Sequence, residues 1–207
     1  MARTVVPRRD GGRAKSRRAT PKRETSAPAP SSPTPELETR PENRVRDTAR
    51  VYATKNDLPQ STRTEVIALL NQRLAEAIDL QTQCKQAHWN VKGTSFIGLH
   101  KLFDDINEDV ESYVDLIAER AVQLGGVAEG TVGVVEGRSS LPDYPLGLAT
   151  GPEHVAALSD ALAAFGRAVR MGIEEMDELE DADSADMLTD ISRGVDKWLW
   201  FVEAHQQ

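Results

Sequence analysis

Apolar residues recur at three- and four-residue spacing through four long stretches of this 207-residue chain, and that spacing predicts four helices. In the first, Val66, Leu70, Leu74, Ala77 and Cys84 share one stripe. Thr62-Arg63-Thr64-Glu65 ahead of it has the spacing of a capping box, so this helix is predicted to run from Thr62 to about Asn90, after an irregular lead-in from Tyr52 to Gln60. Gly93 permits the turn that follows. The second helix, Leu99 to Leu124, carries Leu99, Phe103, Ile106, Val110, Ile117 and Leu124 on its core side and ends at Gly125-Gly126. Pro152 suits the first turn of a third helix, whose Val155, Leu158, Leu162, Phe165, Val169, Ile173 and Met176 carry the pattern to about Leu179. Leu188, Ile191, Val195, Trp198 and Val202 mark a fourth from about Ser184 to Ala204, with Asp183 or Ser184 as N-cap. No strand pattern of comparable strength appears.

The link between the second and third helices runs from Val127 to Gly151 and holds Gly130, Gly133, Gly137, Gly147, Gly151, Pro142 and Pro145. It can cross the molecule and has room for a short helix. The expected body is therefore all-α: a ferritin-like four-helix bundle with a long crossover link, rather than a simple up-down hairpin array.

Charge divides the chain differently. Residues 1–24 hold nine of the 25 Lys and Arg (Arg3, Arg8, Arg9, Arg13, Lys15, Arg17, Arg18, Lys22, Arg23) against two of the 33 acids, for +7. The remainder holds the other 16 basic and 31 acidic residues, or −15, within a net charge of −8. A basic segment with almost no large aliphatics cannot offset its ordering entropy, so it is expected to be disordered. Its expected partner is a polyanion such as DNA, because Lys and Arg that meet phosphates release counterions; the alternative is a solubilising tail. Ser26 to Pro41 is rich in Pro, Ser, Thr and Ala and reads as an extended spacer. The division expected is a basic tail and Pro-rich linker over residues 1–50 and a helical domain over 51–207.

No apolar run approaches the ~18 residues of a membrane span, and Arg8-Arg9 and Arg17-Arg18 lack the apolar stretch that a secretory or twin-arginine signal needs. A soluble protein is expected. The single cysteine, Cys84, excludes an intrachain disulfide framework and fits a reducing compartment. A Cys84–His88 metal pair is conceivable one turn apart, but the apolar stripe around Cys84 favours a small buried residue.

The candidate chemistry sits between His88 and Glu119. His88, His100, Asp104, Asp115 and Glu119 offer two imidazoles and three carboxylates, a set that suits a hard or borderline first-row metal. His100 and Asp104 lie one turn apart on one side of the second helix, as do Asp115 and Glu119, all on a flank away from the apolar stripe. At ~1.5 Å rise per residue, the eleven positions from Asp104 to Asp115 put the pairs about 16 Å apart along the axis. One metal cannot touch both pairs on one helix. If all five residues serve one site, Asp115 and Glu119 come from a second copy of the chain, and a two-fold interface of antiparallel helices supplies two such sites. A solvated polar face is the alternative, against which stand the paired spacing and the imidazoles.

His88-Trp89-Asn90-Val91-Lys92-Gly93, followed after five residues by Leu99-His100 and then Asp104, resembles the first signature of the Dps family, ferritin-like mini-ferritins that protect DNA in starved or oxidatively stressed bacteria. Val114-Asp115-Leu116-Ile117-Ala118-Glu119-Arg120 with Leu124-Gly125 is similar to the second, and the likeness extends from about Tyr52 to Glu203. The resemblance implies a ferroxidase, with iron held by His88, His100 and Asp104 of one chain and Asp115 and Glu119 of its partner. Asp104 and Asp115 would bridge a second, weaker iron. It implies two Fe(II) oxidised by one H2O2, ferric mineral stored in a hollow shell, and a dodecamer built from two-fold dimers. It also implies a cytoplasmic, nucleoid-associated protein that binds DNA through its basic tail. Trp89 adjoins the site and could donate an electron to a reactive oxygen species; packing is its commoner role. The acidic run from Glu174 to Asp186 reads by itself as a polar turn; the resemblance places Asp181, Asp183 and Asp186 at an iron-entry pore on a three-fold axis, where repeated acids would focus an attractive field on cations.

Three other readings compete. An intrachain di-iron site needs Glu-x-x-His, but Lys85, Ile97, Gly151 and Val202 stand three residues before the four histidines. A zinc hydrolase would need a pocket and general base for which the sequence gives no separate signal. A non-enzymatic, nucleoid-compacting DNA-binding protein with a structural metal site is the third.

Overall fold

The computed structural model describes residues 50–207. The basic tail, its spacer and Arg8, Arg9, Arg13, Lys15, Arg17, Arg18, Lys22 and Arg23 lie outside the described residues. Five helices and no named strand follow: α1 (Gln60–Asn90), α2 (Phe96–Gln123), α3 (Val132–Arg138), α4 (Gly151–Glu178) and α5 (Ala182–Glu203).

The four long helices pair as two antiparallel hairpins, α1 with α2 and α4 with α5, which face each other through α1 against α4 and α2 against α5. The order of contacts fixes the direction of the crossover. Thr150, just before α4, bridges to Lys92 in the α1–α2 turn, whereas α2 ends at the opposite pole, where Arg120 meets Asp181. The link therefore traverses the bundle and α4 runs parallel to α2, the ferritin-like arrangement. Every residue of the expected α2 stripe is buried, as are Leu158, Leu162 and Phe165 of α4 and Leu188 and Val195 of α5. At roughly 1.5–3 kcal/mol for each fully buried large side chain, these stripes outweigh anything the exposed ion pairs contribute. Cys84 is enclosed in the same core, and burial pushes its thiol up to about 12. That settles it as a packing residue without thiolate character at neutral pH.

Helix α1 starts before the expected box. Pro59 stands at its N-cap position, its carbonyl already accepts from Arg63 N–H at 3.0 Å, and Thr62 lies inside the first turn. The Thr62–Glu65 spacing is thus an interior coincidence, because Pro59 disfavours helical backbone at Leu58 and so sets the start ahead of Thr62. Arg63 fastens this end: it donates to the carbonyls of Leu58 (3.2 Å) and Leu124 (2.8 Å). Tyr52 N–H donates to Gly125 O at 2.7 Å, and Gly125, at φ +90°, has no room for a Cβ, which would lie 2.5 Å from Tyr52 O. A reciprocal cap does occur at α4, where Glu153 accepts from Thr150 N–H at 2.8 Å.

The crossover is held by polar bonds. Gln72 and Gln83 donate to the carbonyls of Arg138 (2.9 Å) and Pro142 (3.0 Å), and Ser140 donates to Glu76 at 2.7 Å. Glu76 is fully buried and pairs with Arg73 at 2.8 Å on the face of α1 turned to α4.

Candidate metal centre

The α1–α2 turn brings its chemistry together because α1 ends within a turn of His88 and α2 starts within a turn of His100. The imidazoles stack with centroids 3.8 Å apart and planes 22° from parallel. His88 Nδ1 donates to His100 O at 2.8 Å, and His100 Nδ1 donates to His88 O at 2.9 Å. Each bond fixes its ring with the proton on Nδ1, leaving both Nε2 lone pairs free, as metal-binding histidines require.

Asp104, one turn further along α2, puts Oδ1 3.7 Å from His88 Nδ1 and forms an ion pair with Lys85. The hydrogen bond from the Lys85 ammonium, together with its charge, holds the Asp104 carboxyl below its usual range. Lys85 is the residue that sequence reasoning missed; its place three residues before His88 on α1 was the available signal.

Asp115 and Glu119 lie on the same continuous helix and are exposed. Eleven residues separate Asp115 from Asp104, or about 16 Å at the α-helical rise. Among the described residues, no three His, Cys, Asp or Glu side chains of one subunit converge closely enough to hold a metal. Leu116 and Val122, on the same helix, are also exposed, at 47% and 55%. Trp89 is 69% exposed, so the packing role expected of it is not realised within the subunit. Its ring instead borders a hollow shared with Lys85.

The three candidate pore acids separate. Asp183 and Asp186 are exposed on the first turns of α5. Asp181 is 2% exposed and is itself the N-cap, correcting the expected Asp183 or Ser184. It accepts from Ser184 N–H (3.1 Å), Ser184 Oγ (2.6 Å) and Arg120 (2.7 Å). With both oxygens occupied inside the subunit, Asp181 is not available to a pore.

Helix order and the traversing crossover define a class, and a ferritin-like domain model matches residues 67–207. A DNA protection during starvation protein of Agrobacterium fabrum is 42% identical over 158 residues, covering 76% of this chain and 98% of the relative. That of Mycolicibacterium smegmatis is 35% identical over 142 residues, covering 69% and 77%. Of solved structures, Mycobacterium smegmatis Dps matches with a TM-score of 0.72 at 33% identity, covering 75% of this chain and 94% of that one. DpsC from Streptomyces coelicolor matches at 0.74 and 27% identity, covering 79% and 95%. The chain belongs to the Dps family of ferritin-like proteins.

Proposed function

We propose that this protein is a ferroxidase whose site is completed by a second copy of the chain. The carrying observation is the stacked histidine pair with both Nε2 atoms free. Beside it stands one carboxylate, while the acids needed to complete a site stand about 16 Å away along an unbroken helix. Two α2 helices running antiparallel about a two-fold axis place the partner's Asp115 and the partner's Glu119 opposite His88, His100 and Asp104, twice per dimer. Exposed Leu116 and Val122 supply apolar surface for that contact.

Iron is the substrate. Imidazole nitrogen and carboxylate oxygen together suit Fe(II), and an excess of carboxylate favours the Fe(III) product. Lys85 keeps Asp104 ionised and placed, the two backbone carbonyls keep the rings aimed, and Asp104 with the partner's Asp115 can bridge a second ion. Two Fe(II) give up one electron each to one H2O2; its O–O bond breaks, two protons are taken up and two waters leave. That two-electron course releases no hydroxyl radical.

The reading extends to the assembly by way of the family: a dodecameric shell storing ferric mineral, with Asp183 and Asp186 lining its three-fold pores. The nine basic residues among the first 24 would hold DNA by counterion release, in the cytoplasm at the nucleoid. Anaerobic titration tests the chemistry. Fe(II) should be consumed at two per H2O2 with a rise in ferric absorbance and no spin-trapped hydroxyl radical; one per H2O2, with the radical released, would contradict it. Removing residues 1–24 should abolish a salt-sensitive gel shift while leaving that titration unchanged, and full retention of binding would move the DNA contact elsewhere.

A further inference from the structure

Tyr144 and His154 form a phenol–imidazole pair that the proposed metal chemistry does not use. Tyr144 lies in the crossover after α3, His154 on the first turn of α4, and the phenol oxygen is 2.5 Å from His154 Nδ1. The rings lie 19° from parallel with centroids 6.1 Å apart. His154 is 1% exposed; beyond Tyr144 its ring has only a poorly aligned contact with the Asn90 backbone, and its Nε2 makes no well-formed hydrogen bond among the described residues. Such an enclosed imidazole is costly unless the bond it does make is strong. Burial holds His154 below the usual histidine range, and burial pushes the Tyr144 phenol well above its own. The resting pair is therefore a neutral phenol donating to a neutral imidazole, the arrangement in which a proton can move with little displacement.

Position makes the pair more than a structural hydrogen bond. Tyr144 borders the same hollow, of about 650 Å³, as Lys85 and Trp89. Lys85 holds the carboxylate of the metal centre, and Trp89 directly follows His88. The other two tyrosines lack such a partner: Tyr52 is exposed, and Tyr113 neighbours Asp109 and Trp198 instead of an imidazole.

We infer that Tyr144 is a redox-active tyrosine that gives up an electron to one-electron oxidants formed near the metal centre while handing its phenolic proton to His154. A hydroxyl radical, made whenever Fe(II) meets H2O2 without the second electron in place, is the oxidant class. The Tyr144 O–H bond breaks and its proton moves to His154 Nδ1. The electron, with a proton from solvent, reduces the hydroxyl radical to water, leaving a neutral tyrosyl radical beside an imidazolium. The pair then works as a trap for misfired oxidation events, with exposed Trp89 on the same hollow as the relay. Delivery from iron rests on the ferroxidase reading above; the pair itself does not.

The test uses the full-length assembly and two sources of oxidant. Freeze-quenched electron paramagnetic resonance is recorded after Fe(II) with excess H2O2, and separately after flash oxidation by tris(bipyridine)ruthenium with persulfate and no iron. Both should give a neutral tyrosyl signal, absent in Tyr144→Phe, which keeps the ring and loses only the hydroxyl. In His154→Gln the signal should form at least about tenfold more slowly, because no base accepts the proton. Ferric absorbance should grow at the wild-type rate in both variants, while Tyr144→Phe releases more spin-trapped hydroxyl radical. A photochemical tyrosyl signal that is missing in wild type, or that survives unchanged in Tyr144→Phe or His154→Gln, overturns the assignment. A normal photochemical signal without ferric absorbance overturns the ferroxidase reading and supports the tyrosine. Ferric absorbance and a photochemical signal without an iron-driven one overturn delivery from the metal centre.

Discussion

The two poles of the bundle each set an aspartate against a basic side chain, and the two pairs do opposite things. At one pole Asp104 meets Lys85 beside the stacked imidazoles, part-exposed, and among the described residues no hydrogen bond occupies Nε2 of His88 or His100. At the other, Asp181 meets Arg120 under the start of α5 with every acceptor position directed inward, to Arg120 and to Ser184. An acid beside a base reads alike in both places; burial and unspent lone pairs separate a site from a clasp. A metal centre must keep donors unsatisfied by protein, whereas a helix terminus is stable when its donors and acceptors are all answered.

The contrast predicts that variants at the two poles fail in different assays. His100→Ala should have the largest effect, lowering the rate of ferric formation by about 100-fold or more, since loss of a supporting partner alone costs 10–100-fold. Its thermal midpoint should change little; a large loss of stability with retained oxidation would erase the distinction. Arg120→Ala should do the reverse, stranding the buried Asp181 carboxylate at a cost of about 3 kcal/mol, read as a lower midpoint in urea or heat with oxidation per folded protein preserved. Lys85→Met sharpens the comparison by pH. Asp104 is an anion above its lowered folded pKa and becomes neutral as pH falls through it, so loss of Lys85 raises that pKa. The acid limb of iron oxidation should shift to higher pH, and an unmoved limb would show that Lys85 does not tune the carboxylate. The smallest effect belongs to Glu153. Its hydrogen bonds to Thr150 and Ala149 depress its pKa, so its contribution to stability is complete above the unfolded glutamate pKa and fades as pH drops through the folded value. Glu153→Gln should lower stability slightly at and above neutral pH and flatten its fall in acid, read from urea midpoints across pH; an unchanged acid slope would remove Glu153 from the account.

How much could be read from the chain follows from the range of the interaction involved. Helix faces repeat every few residues, so the stripes from Val66 to Val202 and the imidazole–carboxylate flank of α2 were legible. The crossover was legible from its length and glycines. The Thr62 box failed because a local motif was judged without Pro59, which starts α1 first. Asp181 was misread because its partner, Arg120, stands 61 residues earlier, and only the fold brings them together. Lys85 escaped notice for a similar reason: its partner lies on the next helix. Trp89 shows the converse limit, since its exposed ring finds no packing partner in one subunit.

Complementation between two damaged chains tests the shared site most directly. His100→Ala and Asp115→Ala proteins, each inactive, are unfolded, mixed in equal amounts and refolded, and Fe(II) oxidation by H2O2 is measured. In a mixed dimer one site collects both lesions and the other none, so random pairing should restore about a quarter of wild-type activity. No recovery, with native mass confirming that mixed assemblies had formed, would contradict a centre built from two chains.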